Sequence, residues 1–256
     1  MVRKVDYDER LHAVYAKGRV MSPAALATWM DAFNRHLPEQ RPLTMLDLGA
    51  GIGRFTPWLA ETFGGPVYGV EPAARMRAIA ESDARHERVT YLDGKGEAIP
   101  LPDASCDAAL LYFVWHHLAD PGAAARELAR VVRPGGRLLM RTNVAEAMPE
   151  LWWYRWFPRA REVDRAVHEP RAVTVDTLAA AGWTLVTHEL VEFETAPSRA
   201  DDFERIQLRA LSTFEHLTDE ETAEGFAAIA AGLAEAGDIE PDGPVVIPAD
   251  LLVFSR

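Results

Sequence analysis

Cysteine is nearly absent: the 256 residues hold one, Cys106. A lone thiol closes no internal disulfide, so nothing in the chain calls for an oxidising compartment, and a core of this size needs no covalent staple. Cys106 lies in an apolar run and reads as core rather than as a nucleophile. Positive charge is also scarce, with 27 Lys and Arg against 39 Asp and Glu for a formal net charge of −12. This argues against a nucleic-acid partner, because displacing counterions from phosphates takes a basic face. One candidate patch, Arg155, Arg159, Arg161 and Arg165, has the spacing of a wet helix face. No uncharged apolar run is long enough to cross a bilayer. The start, MVRKVDYDERLH, has no apolar stretch of the kind that opens a secretion signal. A soluble, cytoplasmic chain without a membrane partner is expected. With no Cys/His cluster and no H-E-x-x-H spacing, no metal site is expected either.

What is present is an alternation. Residues 5–37 read as helical, with Ser22 as a cap and Pro23 at the first helical position. Strands are then predicted at Thr44–Leu48, Val67–Val70, Val89–Leu92, Cys106–Phe113 and Arg137–Arg141. Between them, helices are predicted over Arg54–Thr62, Ala73–Ala84 and from the Asp120-Pro121 cap to Val132, with a turn at Pro134-Gly135-Gly136. Strands alternating with helices imply right-handed crossovers and a parallel α/β sheet. The regularity breaks after Thr142. Trp183–Phe193 and Val245–Phe254 read as strands, and residues 200–236 as one or two helices with Leu208, Leu211 and Phe214 at helical spacing. One domain over 1–256 is expected: a helical cap over 1–40, a ligand-binding core over 41–142, and helical lid insertions over 143–180 and 196–240.

The segment LDLGAGIGRF at 46–55 runs from a strand through glycines into a helix, placing backbone where a Cβ would meet a ligand. Glu71 stands 24 positions after Asp47, at the end of the next strand. An ionised acid there can accept both hydroxyls of a ribose. The dinucleotide fingerprint would need glycine at 54, where this chain has Arg54. Asp47 is also unsuited to sit near a pyrophosphate but suits a cationic amino group. A nucleoside without phosphates is therefore favoured over NAD. A plain glycine turn with an incidental acid is the remaining structural alternative.

Four stretches in order, LDLGAGIGRF at 46–55, VYGVEP at 67–72, GKGEAIPLPDASCDAAL at 94–110 and HHLADPGAAARELARVVRPGGRLLM at 116–140, resemble the class I S-adenosylmethionine-dependent methyltransferases. The likeness is to their small-molecule, ubiquinone-biosynthesis-like "methyltransferase type 11" group. It implies a Rossmann-like open sheet, mostly parallel with an antiparallel last strand and helices on both faces. It also implies S-adenosylmethionine as cofactor and S-adenosylhomocysteine as product. By the same resemblance Asp47 supports the loop, Gly49, Ala50 and Gly51 line the methionine moiety, and Glu71 holds the ribose. Pro72 and Met76 lie beside the adenine, with Gly96 and Glu97 on its other side, and Tyr112 and Phe113 end the fourth strand beside the methyl. Tyr15 and Arg19 belong to an N-terminal motif, YAKGR, that also resembles one in some members. Lys95 stands where many relatives have an aspartate, and a lysine cannot accept a hydrogen bond from the adenine amino group.

Methyl transfer is an in-line displacement at an activated carbon, so alignment and water exclusion do most of the work. His116 and His117, after the fourth strand, are candidate general bases; His168 and His188 are scattered and read as structural or exposed. Trp152, Trp153 and Trp156 are candidates for closing an apolar pocket over the acceptor, or else anchor the inserted helix. A hydrophobic or aromatic small-molecule acceptor is expected, taken by a monomer or homodimer. Alternatives are a cofactor-binding member that catalyses a cyclisation, a macromolecule methyltransferase, and an NAD-dependent oxidoreductase. The macromolecule reading is weakened because Tyr112-Phe113-Val114-Trp115 replaces the N/D-P-P-Y/F motif.

Overall fold

The computed structural model describes Gly18, residues 21–235, Ile239 and residues 242–256. Tyr15 and Arg19 lie outside the described residues. Seven strands form one sheet: β1 (Leu43–Leu48), β2 (Gly64–Val70), β3 (Val89–Leu92), β4 (Cys106–Tyr112), β5 (Val132–Thr142), β6 (Thr184–Ala196) and β7 (Val245–Ser255), in the order β3-β2-β1-β4-β5-β7-β6. Pairing from β3 through β5 is parallel, whereas β7 runs antiparallel to both β5 and β6. This is the Rossmann-like sheet with its inverted last strand. Apolar residues on both faces of β4, from Ala108 to Leu111, are fully buried, as a central parallel strand requires. β1 pairs with β2 on one side and with β4 on the other. The strand order therefore reverses beside β1 and opens a crevice at the carboxyl ends, where ligands of such sheets bind.

Helices cover both faces. On one, α1 (Pro23–Asn34) and α2 (Thr56–Phe63) bury Trp29, Phe33, Leu59 and Phe63 against the sheet. Ser22 caps α1 as expected, its Oγ accepting from Ala25 N at 3.0 Å. α3 (Ala74–Asp83) connects β2 to β3. On the other face lie α4 (Pro121–Val131) and α6 (Arg171–Ala179), which bury Leu128, Val131 and Leu178. The predicted turn at Pro134–Gly136 is an excursion within β5: the partner of β4 jumps from Val132 to Arg137 while β4 advances from Cys106 to Ala108.

The inserted segments form a third core of their own. Trp153, Tyr154 and Phe157, flanking the start of α5 (Ala160–Val167), pack with Phe203 and Ile206 of α7 (Arg199–Gln207), with Phe214, and with Ile229 of α8 (Asp219–Ala234). Trp153 stacks on Phe214 with centroids 5.7 Å apart. Two expectations are corrected. α6, placed in the lid from sequence, belongs to the sheet layer because Leu178 and Trp183 are needed to cover β4 and β5. Leu208, Leu211 and Phe214 are not on one helix: α7 ends at Gln207, Arg209 takes a left-handed φ of 53°, and Phe214 sits in a short 3-10 turn. Leu211 before that turn is extended, so the three residues share no helical face.

Gly225 on α8 has no room for a side chain, since a Cβ there would collide with the Phe157 ring. Overpacking costs about 1–3 kcal/mol, and alanine regains about 1 kcal/mol of helix preference. Gly225→Ala should lower unfolding free energy by up to about 2 kcal/mol in a urea titration. A higher midpoint would contradict this packing of α8.

Candidate active site

β1 delivers the chain into a loop in which Gly49 and Gly51 take φ values of 70° and 57°. At Gly49 a side chain is excluded twice, by that φ and by the Val114 side chain. At Gly51, among the described residues, only the Met76 methyl lies within 4 Å of where a Cβ would stand, at 3.6 Å. Val70 O accepts from both Gly49 N and Ala50 N, at 2.7 and 3.2 Å. Glu71 completes the tie: its Oε2 accepts from Gly51 N at 2.9 Å and its Oε1 from Ala73 N at 2.8 Å. Glu71 is 8% exposed, Met76 is buried and Pro72 is exposed beside them.

Asp47 is buried, and its Oδ2 accepts from the Thr56 hydroxyl at 2.7 Å, at the first residue of α2. Burial pushes its carboxyl up to about 6, against the lowering effects of the Thr56 bond and the Arg54 charge. Asp47 is thus a brace between β1 and α2. Gly96 is buried, and a Cβ there would run into Leu118. Glu97 accepts from Ala119 N at 2.6 Å and Asp120 N at 3.0 Å, holding the loop after β4 against the loop after β3. Lys95 is exposed.

Tyr112, Phe113, His116 and His117 line a pocket at the carboxyl ends of the strands. Phe113 has a φ of 61°, a strained value for a bulky residue. Its ring lies 3.7 Å from the Arg141 guanidinium carbon. His168, read from sequence as structural or exposed, is brought here from the end of α5: its ring is 4.4 Å from that of His116, which is 3.9 Å from His117. Burial, then the charges of Arg141 and His117, push His168 down to about 3. Among the described residues no His, Cys, Asp and Glu group is arranged to hold a metal ion.

Trp152 and Trp153 line the pocket, and Trp152 Nε1 donates to Asp202 at 2.8 Å. Trp156 is not among the lining residues; it packs on Trp152 at 5.8 Å and under Arg155 at 4.3 Å. His188 lies on the β6–β7 pair, bonded to Asp250 at 2.7 Å. Cys106 is fully buried, which pushes its thiol up to about 11, so it is core and no nucleophile. Arg54, Arg141, Asn143 and His168 were not singled out from sequence. Arg141 had a signal, a charge at the end of an apolar strand; His168 had none, because only the folded insertion brings it in.

The methyltransferase domain family matches residues 46–140. A demethylmenaquinone methyltransferase of Thermus thermophilus is 31% identical over 190 residues, 64% of this chain and 84% of that enzyme. An uncharacterized methyltransferase of Mycobacterium tuberculosis is 38% identical over 141 residues, 55% of this chain and 53% of its own length. The chain thus spans about half the length of that relative. Among solved structures, a methyltransferase ascribed to an antibiotic biosynthesis pathway of Anabaena variabilis superposes with a TM-score of 0.75 at 20% identity, covering 93% of this chain and 99% of that one. The (4+2)-cyclase SpnF superposes at 0.61 with 19% identity, covering 98% and 94%. At these identities the structural likeness speaks for the fold alone. With the sheet order, the glycine loop and the Thermus relative together, the chain belongs to the class I S-adenosylmethionine-dependent methyltransferases.

Two buried groups make opposite predictions for stability against pH. His168 is held at about 3, below 6.5, so its contribution is present above the higher value and lost as pH falls toward the lower. His168→Asn should lose stability less steeply than the parent over that window in urea titrations. Asp47 is held at about 6, above 3.8, so the folded state keeps a proton that the unfolded chain releases, and stability falls as pH rises between those values. Asp47→Asn should remove that slope, and an identical pH profile in the variant would refute the burial argument.

Proposed function

We propose that the chain binds S-adenosylmethionine along the Gly49–Gly51 loop and transfers its methyl to a small, largely apolar molecule held in the adjoining pocket. The supporting observation is the tie at Glu71, a nearly buried carboxylate bonded to the loop amide at Gly51. A carboxylate has about four acceptor sites and no donor, which suits the two hydroxyls of a ribose. Gly49, Ala50 and Gly51 then flank the methionine moiety, while Pro72, Met76, Gly96 and Glu97 border the adenine. Tyr112 and Phe113 stand between nucleoside and pocket. The bound cofactor supplies one thing, an activated methyl on a sulfonium.

The chain's own residues align, enclose and deprotonate. Aligning the reactants alone can supply roughly 7–11 kcal/mol of the barrier. Trp152, Trp153 and the lid core exclude water above the acceptor, and Trp156 backs Trp152. His116, with His117 in ring contact, takes the acceptor's proton where one must leave. A similar enzyme is named for demethylmenaquinone as acceptor, which fits an acceptor with an apolar body. The SpnF likeness favours a second reading, in which the nucleoside is held but no methyl moves; release of S-adenosylhomocysteine in the presence of candidate acceptors separates the two.

Glu71→Ala should weaken S-adenosylhomocysteine binding by about 1.5–3 kcal/mol, the range for hydrogen bonds to a charged group; an unchanged dissociation constant refutes the assignment. His116→Ala should reduce turnover on the order of a hundredfold at nearly constant affinity for the donor. Full activity in that variant removes His116 from the mechanism.

A further inference from the structure

The sheet ends on two unequal edges. β3 offers 4 residues, whereas β6 runs for 13 and lies last in the strand order. Among the described residues no further strand pairs with its outer side. Such an edge leaves a row of backbone N–H and C=O groups open to another strand, which is why exposed edges are commonly short, bulged or charged. In β6 the register shifts only toward the two ends, at Leu185/Thr187 and at Glu194/Ala196. The stretch from Thr187 to Glu194 is regular.

That stretch also carries apolar surface. Side chains alternate along a strand, so His188, Leu190, Glu192 and Glu194 share one face. It is the face on which Leu252, the β7 partner of His188, packs into the core with Leu178 of α6. Pro248 and Val246, paired with Glu192 and Glu194, lie on that face as well. Leu190 is 61% exposed and Val246 51%, and Pro248 is exposed between them. Of the 5 exposed large apolar side chains among the described residues, Val186, Leu190 and Val246 belong to β6 or β7, and Val173 to α6 beside them.

Charge selects the occupant and the register. Strands of two identical chains that pair antiparallel about a two-fold axis set one residue against its own copy, with its neighbours opposed in order. With Leu190 on the axis, Leu190 meets Leu190 of the second copy, and His188 of each chain meets Glu192 of the other. Arg171 stands with His188, its Nη1 2.8 Å from the ring Nδ1, so each Glu192 faces a guanidinium across the junction. Glu192 is exposed and forms no ion pair among the described residues. Glu189, on the opposite face, is already held by His36 and Arg35 at the end of α1. Apolar and oppositely charged cross-strand pairs stabilise a sheet, and like charges directly opposed do the reverse. An axis through Glu189 or Glu192 would oppose two carboxylates, and one through Val191 would set Leu190 against Glu192. We infer that β6 pairs antiparallel with β6 of a second copy of this chain about an axis through Leu190, continuing one sheet into the next.

Sedimentation equilibrium of the full chain between about 1 and 100 μM should show a species of twice the chain mass. Leu190→Asp and Glu192→Lys, both at exposed positions, should each weaken self-association at least about tenfold while leaving the urea midpoint of the monomer unchanged. Leu190→Cys should form a disulfide-linked dimer under mild oxidation, because directly opposed residues have Cα atoms only about 4.5–5.5 Å apart. The parent chain should not, since its one thiol, Cys106, is buried. Val186→Cys, which faces Glu194 of the second copy in this register, should not link either. A monomer throughout the range, a dimer that either charge variant leaves intact, or linking through position 186 in place of 190 overturns the inference.

Discussion

The site hangs on one carboxylate. Glu71 sits at the end of β2 and accepts from Gly51 N in the loop after β1 and from Ala73 N at the start of α3. A loop with glycines at positive φ has little conformational preference of its own, so its shape must be imposed from outside. Val70 O, one residue before Glu71, takes the amides of Gly49 and Ala50, and together these bonds fasten the loop to the neighbouring strand. Hydrogen bonds to a charged acceptor are each worth about 1.5–3 kcal/mol, enough to hold the loop open in one form. The strand order makes this possible, because β1 and β2 are adjacent on one side of the switch point and β4 leaves on the other.

The rest of the cleft follows a division of labour between two cores. The strand ends and the loops after them supply Arg54, Arg141, His116 and His117, and the insertion adds His168. The insertions supply an aromatic core of their own around Trp153, Phe157 and Phe214, which can be remodelled without touching the loop at Glu71. Phe113 joins the two halves. Its left-handed backbone and its contact with Arg141 turn the chain sharply at the end of β4, so that the following histidines face the pocket.

The fold of the first half was largely legible in the sequence because its determinants are local. Glycines between a strand and a helix, an acid at the next strand end and a Ser or Asp cap each act within a few residues of where they are read. Strand positions in the first half agreed with the apolar pattern to within a few residues for the same reason. What escaped were features created by tertiary contact. Leu208, Leu211 and Phe214 share a helical spacing, but the left-handed backbone at Arg209 and the extended Leu211 break the run. α6 has too weak an amphipathic pattern to say which layer it joins. His168 is separated from His116 by a whole strand and the insertion, and no short-range pattern pairs them.

The central claim is that the loop tied by Glu71 is shaped for a nucleoside without phosphates. Calorimetric titration of the chain with S-adenosylhomocysteine, run beside NAD, tests it most directly. Saturable heat for the thioether nucleoside at one site per chain, with none from NAD, is the predicted result; no saturable heat from a folded protein, or stronger binding of NAD, would contradict it.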